Sequence, residues 1–221
     1  MSDVHIHAEA DGQRLSLADG SASLLLVPRL GLTLPRYHFH IGRVVHAAQE
    51  LGLFRVQTTL LLGNDHTGQS ELAELRFAPG LAEAEQTAAL LRLISAAQGL
   101  MAERPADFGD WLVAELPGWR DGEGRSPVWQ ALGARFYAGD PQQAEARLGA
   151  AWRSHLAALL PRQAIYLSFL GEAAEHGLAH AADSALTTLA ALRAAGFQPS
   201  AHARIDDGGP VLTWRRAGQA G

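Results

Sequence analysis

The stretch Gly63-Asn64-Asp65-His66-Thr67-Gly68-Gln69-Ser70-Glu71-Leu72 sets a polar, glycine-punctuated cluster between two apolar runs, Thr59-Leu60-Leu61-Leu62 and Leu72 to Phe77. Apolar runs of strand length on either side of Asn-Asp and Thr-Gly define a strand-turn-strand unit, and such turns are where scaffolds place chemistry. Upstream, Val4 to Ala10 alternates apolar and polar residues before Asp11-Gly12, and Leu15 to Ala18 and Ser21 to Val27 flank Asp19-Gly20. These segments read as short antiparallel strands joined by tight turns. Pro28 to Pro35 interrupts the pattern and Tyr37 to Arg43 resumes it. His46 to Leu51 reads as a helical turn or short helix, and Val56 to Leu62 as a strand.

The texture changes after Pro79-Gly80. Leu81, Ala84, Ala88, Leu91, Ile94 and Leu100 recur at helical spacing through Leu81 to Met101, with Glu83 and Glu85 in the first turn. Trp111 to Leu116 reads as a strand, Pro127 to Phe136 as a helix, and Gln142 to Leu160 as another helix ended by Pro161. Ile165 to Leu170 fits a strand or a short helix. Ser184 to Ala195 is expected to be a helix with Asp183 as N-cap and Gly196 as its stop. Ala201 to Ile205 and Val211 to Trp214 are closing strands around Asp206-Asp207-Gly208-Gly209-Pro210, which reads as a hairpin turn. The order implies an α+β fold, a mostly antiparallel central sheet flanked by helices. A single domain over residues 1–221 follows from the length and the 48% hydrophobic content.

Composition narrows the function classes. A net charge of −5 without a basic block argues against nucleic acid as a partner. No apolar run reaches about 18 residues, so no membrane span is expected. Met1-Ser2-Asp3-Val4-His5 lacks the features of a secretory signal, and the cytoplasm is the simplest location. With no cysteine, chemistry must rest on His, Asp, Glu, Ser or Tyr. Ten histidines include the His-x-His pairs His5/His7 and His38/His40, whose rings share a strand face. Neither pair has a neighbouring carboxylate at ligand spacing in the sequence, so no metal site is expected.

Four segments together resemble the arginine N-succinyltransferase family. They are Gly42-Arg43-Val44-Val45-His46-Ala47 with Glu50-Leu51, the stretch Leu60 to Leu72, the stretch Ser126-Pro127-Val128-Trp129-Gln130-Ala131-Leu132-Gly133-Ala134-Arg135-Phe136, and Ala195-Gly196-Phe197 with Ile205 to Leu212. The resemblance implies a GNAT-like acyl-CoA N-acyltransferase fold. It further implies transfer of succinyl from succinyl-CoA to the α-amino group of arginine, in a bacterial arginine-degradation route. Succinyl-CoA is then a co-substrate, with no permanently bound cofactor. Such a transfer needs an acceptor for the amine proton, donors for the oxyanion and a helix N-terminus for the CoA pyrophosphate. By resemblance, the proton-transferring histidine falls on His180 in Gly177-Leu178-Ala179-His180, with His176 as fallback and an ordinary loop histidine as the alternative. Leu75 matches the position whose backbone contacts the CoA arm, and also fits as a core leucine. Asn64, Asp65, His66, Ser70 and Glu71 are candidates for the polar substrate wall, a carboxylate suiting a guanidinium fork; turn chemistry alone also accounts for Asn64-Asp65.

The sequence departs from the family pattern in two ways. Family members carry a long segment ahead of the first matching strand and continue beyond the position of Trp214-Arg215-Arg216, so a chain shortened at both ends is expected. Apolar surface left by the lost flanks implies a homo- or hetero-oligomer. In addition, the glycine-containing basic loop of the family is replaced by Ala78-Pro79-Gly80-Leu81-Ala82-Glu83-Ala84-Glu85, whose glutamates oppose an anion. Two functions are compatible with these features: an acyltransferase, or a catalytically degenerate member serving as a structural or regulatory subunit of a full-length paralogue.

Overall fold

The structure, a computed structural model, describes residues 3–149 and 151–217. The strands are β1 (Val4–Glu9), β2 (Gly12–Leu17), β3 (Ala22–Val27), β4 (His38–Ala48), β5 (Leu53–Gly63), β6 (Ser70–Phe77), β7 (Trp111–Glu115), β8 (Ile165–Tyr166), β9 (Gln198–Arg204) and β10 (Pro210–Arg215). They form a ten-stranded sheet in the order β1-β2-β3-β6-β7-β10-β9-β4-β5-β8. All neighbours are antiparallel except β6 and β7, the only parallel pair among the described residues.

That pair positions the site. Its ladder runs from Ser70↔Leu112 to Leu72↔Ala114 and then ends, although β6 continues to Phe77. On its other side β6 remains paired to β3, with a register slip between Ser23 and Leu25. Opposite the slip, Glu74 takes φ 47°, a left-handed conformation that marks a β-bulge and bends the strand. Past Leu72, β6 therefore follows β3 while β7 follows β10, and the sheet parts between them.

Two apolar clusters hold the layers. Helix α1 (Glu83–Glu103) buries Leu90, Leu93, Ile94, Ala97, Leu100 and Met101, the stripe that a 3.6-residue period demands. It packs with Leu15, Leu24 and Leu26 of the sheet and with Ala191 and Leu192 of the helix at Leu186–Ala194. The second cluster joins Phe39, Leu60 and Leu62 to Trp129, Trp152 and Leu156. No described helix is long and apolar enough to cross a membrane.

Several sequence expectations are corrected by backbone geometry. The expected helix over Gln142 to Leu160 is two helices, because Gly149 at φ 55°, ψ −136° breaks it. In chain order, the short α2 (Pro127–Ala131), α3 (Pro141–Leu148) and α4 (Ala151–Leu159) precede α5 (Glu172–Gly177) and α6 (Leu186–Ala194). Helix α2 is followed by a separate 3-10 turn at Gly133–Arg135. Asp183 caps nothing: it opens a 3-10 turn, Asp183–Ala185, and no side chain caps α6. Gly196 at φ 92° lies just past the end of α6, at the expected stop. His46 to Ala48 is strand, held by the cross-strand pairs His46↔Arg55 and Ala47↔Phe54, and only Gln49–Leu51 makes a 3-10 turn.

Candidate active site

A cleft of about 780 Å³ occupies the gap where β6 and β7 part. Ala73, Glu74, Leu75 and Phe77 line it from β6, and Glu115, Leu116 and Pro117 from β7 and its continuation. Leu90 of α1 and Thr188 and Leu192 of α6 also contribute, as do Arg36, Arg153 and Arg204. The lining thus combines apolar wall with a few placed polar groups, the usual character of a small-molecule site.

The charged part is a buried network. Arg36 Nη2 donates to both oxygens of Glu71, at 2.7 and 2.9 Å. Glu115 accepts from Arg153, lies 3.5 Å from Arg36 Nε and 2.8 Å from His38 Nε2. Arg153 Nε donates to Asp206 at 3.0 Å, and Arg204 bonds both oxygens of Asp206, at 3.1 and 2.7 Å. Asp207 accepts the Gly118 and Gly209 N–H groups at 2.9 Å each. Within this core, three guanidiniums face four carboxylates.

The protonation equilibria follow from burial and partners. Burial would push Glu115 up, but the Arg153 and Arg36 guanidiniums and the His38 bond hold it well below the usual carboxylate range. Burial opposes ionisation of Asp206 also, and Arg153 and Arg204 overcome it. Glu71 and Asp207 are raised, in both cases first by burial, then by the carboxylates Glu115 and Asp206 respectively. Among the four carboxylates, Glu71, which lines the cleft, and Asp207, which accepts backbone N–H groups, are therefore the two whose ionised forms are least favoured.

From Glu115 a row of imidazoles leads away. His38 is buried, and its Nδ1 lies 3.3 Å from His66 Nδ1. The His66 ring stands 4.4 Å from that of His202, centroid to centroid, and His202 Nε2 is 2.9 Å from Asp65. Burial, with His38 and His202 nearby, lowers His66 to about 4, and burial lowers His202 as well.

The residues singled out by sequence divide accordingly. Glu71 and Leu75 line the cleft, and Leu75 also packs on the core. The guanidinium that Glu71 holds is the chain's own Arg36. His66 and Asp65 lie in the imidazole row. Asn64 is exposed, and its carbonyl accepts from the Thr67 N–H and hydroxyl, which is turn chemistry. The buried Ser70 hydroxyl donates to Pro28 O and accepts from Gly109 N, so it clamps backbone. His180 is exposed and stacks on His176, with centroids 5.4 Å apart. Its segment runs beside the extension of β7, with Trp119 N–H donating to His180 O and Ala182 N–H to Pro117 O. Ser184 and Pro117, to either side of it, line the cleft. Sequence reading missed Arg36, Glu115, Arg153 and Arg204, and singled out His38 only as half of a His-x-His pair. The available signal was a glutamate ending the apolar run Trp111 to Ala114 and an arginine beside buried Trp152.

A parted parallel pair opening on a cleft, within an α+β sheet flanked by helices, defines the GNAT-like acyl-CoA N-acyltransferase fold. Residues 19–218 match the arginine N-succinyltransferase beta subunit family, and the chain belongs to that family. It is 37% identical over 185 residues to the arginine N-succinyltransferase subunit beta of Pseudomonas aeruginosa, covering 83% of this chain and 53% of that one. An arginine N-succinyltransferase of Escherichia coli is 35% identical over 183 residues, covering 83% and 52%. The chain thus spans about half the length of these curated relatives. The solved arginine/ornithine succinyltransferase subunit AI from Pseudomonas aeruginosa superimposes with a TM-score of 0.76 at 27% identity, over 96% of this chain and 62% of that one.

Removing one member of the buried network leaves its partners charged and uncompensated. Glu115→Gln is expected to lower unfolding free energy by about 3–5 kcal/mol in denaturant titration, since a broken buried pair costs that much. A loss below about 1 kcal/mol, the range of exposed pairs, would show that solvent reaches Arg153.

Proposed function

We propose that this chain, as a single domain, carries an acyl-transfer site that moves succinyl from succinyl-CoA to the α-amino group of arginine. The observation that carries this reading is the cleft between the parted β6 and β7, ending on buried charge, in a member of this family. The pantetheine arm would lie along the backbone of Leu75, which the bulge at Glu74 turns out of regular pairing. The neutral amine nitrogen attacks the thioester carbonyl carbon, the carbon–sulfur bond breaks, and CoA leaves as thiolate and takes up a proton. The proton released by the amine passes to His180, whose loop is fixed beside the cleft wall by the Trp119 and Ala182 N–H bonds. If His180 carries the proton, His180→Ala lowers the transfer rate by about 10²-fold or more with folding intact. An unchanged rate removes it from the mechanism.

A second reading, a structural or regulatory subunit of a longer paralogue, is favoured by the start of α1. The Ala82 N–H donates to the Glu85 carboxylate at 2.9 Å, with Glu83 alongside, where a pyrophosphate would need free N–H groups. Calorimetric titration with succinyl-CoA, acetyl-CoA and CoA separates the two. Preferential succinyl-CoA binding supports the enzyme, and absence of binding to all three supports the subunit. Given binding, the double variant Glu83→Gln, Glu85→Gln is expected to tighten it about 3-fold, the scale of helix-terminus charge effects.

The substrates are small molecules, and the partner is a second copy or a related chain. Val45, Phe54 and Val56 are 57%, 71% and 52% exposed and share one face of the β4–β5 hairpin. Light scattering at micromolar concentration is expected to return a mass above that of one chain; a monomer overturns this part of the reading.

A further inference from the structure

Beyond the cleft, tertiary structure supplies the carboxylate that the His-x-His spacing lacks in sequence. His40 of β4 and His202 of β9 are cross-strand partners, so their side chains leave the same face of the sheet. The turn after β5 brings Asp65 over them. Asp65 Oδ2 lies 2.9 Å from His202 Nε2 and 3.6 Å from His40 Nδ1. One ligand atom from each of the three residues falls within 4.8 Å of the others.

We propose that His40, Asp65 and His202 form a site for a divalent transition-metal cation of the zinc type. Two ligand atoms bound at about 2.0–2.1 Å to a tetrahedral ion lie about 3.3 Å apart. The two measured separations bracket that value, and the half-exposed His40 and Asp65 side chains can close the remainder by rotation. Two imidazole nitrogens and one carboxylate suit zinc, nickel or copper, not magnesium or calcium, which demand more oxygen ligands. Exposure on the His40 and Asp65 side leaves room for water as the fourth ligand.

The hydrogen-bonding pattern points His202 Nε2 at the Asp65 carboxylate and so into the site. His202 Nδ1 is buried and has no hydrogen-bond partner, so the Asp65 contact alone sets which nitrogen bears the proton. A cation on Nε2 displaces only the Asp65 contact and puts the ring proton on Nδ1, whose lack of an acceptor is a cost that the metal bonds must offset. The neighbouring His66 ring packs at 4.4 Å and fixes the orientation of His202 from behind. The site is independent of the acyl-transfer reading.

The test is calorimetric titration of the metal-free full chain with Zn²⁺, with Mg²⁺ alongside, and visible spectroscopy with Co²⁺ as substitute. One Zn²⁺ per chain, no matching affinity for Mg²⁺ and the absorption of four-coordinate Co²⁺ are expected. His202→Ala and His40→Ala should each weaken Zn²⁺ binding by about 10-fold or more, since even residues behind the ligands have effects of that size. His40 is half-exposed, so its replacement separates ligation from folding. His5→Ala, in the other His-x-His pair, should leave the affinity unchanged. No Zn²⁺ binding, or binding that survives both His202→Ala and His40→Ala, overturns the proposal and leaves a hydrogen-bonded cluster.

Discussion

The Arg153 guanidinium is the constraint on which the site depends. A buried cation without partners costs several kcal/mol, so Arg153 is tolerable only where carboxylates converge on it. Three do so: Glu115 at the end of β7, Asp206 in the turn before β10, and Glu145 on α3. Burial weighs against its charge, yet Asp206 and Glu115 keep it firmly protonated. One side chain thereby fixes α4 against β7 and against the closing turn. The helix break at Gly149 separates α3 from α4, so Glu145 and Arg153 meet from different helices.

Around that anchor, the strands do opposite things on the two sides of one gap. β7 is held by β10 through Leu212↔Ala114 and Val211↔Glu115, while β6 is held by β3. A non-glycine residue in left-handed backbone is costly and persists only when its surroundings impose it. Here the Glu74 carboxylate is bonded by Arg14 and Arg76, at 2.7 and 2.9 Å, on the strand face opposite the core. The bulge is thus supported by ion pairs at the surface and by Leu72, Leu75 and Phe77 packed inside. Strand pairing, more than any single side chain, makes the cleft.

Much of this architecture was legible in the residues. The succession of strands along the chain, the long α1 and the turn at Asp206-Asp207-Gly208-Gly209 follow from alternation, helical period and turn chemistry, whereas the order of strands in the sheet does not. The helix interruption at Gly149 was not, because alanine-rich sequence on both sides keeps the helical pattern running. The buried network was not either. Arg36, Glu115, Arg153 and Arg204 lie far apart in the chain, and a charged residue looks the same in sequence whether solvated or buried. Ser70 and Glu71 show the limit clearly: adjacent residues in one motif, the first spent on backbone and the second facing the cleft. The resemblance identified the family, but spacing could not describe the loop that leaves His180 exposed and stacked on His176, outside the residues that line the cleft.

The outer side of β5 carries its own consequence. β8 pairs with Thr59 and Leu60 only, so the edge from Leu53 to Thr58 is uncovered by any strand among the described residues. An open edge with Phe54 and Val56 on it is a template for another strand, and Arg55 between them is the charge that discourages unintended addition. During synthesis β4 and β5 are made before β9, which closes the other side of β4 in the finished sheet, since β9 is made some 135 residues later than the end of β5. For most of that interval neither outer edge of the two strands has its partner, and Arg43, Arg55 and the histidines of β4 are among the polar side chains along them.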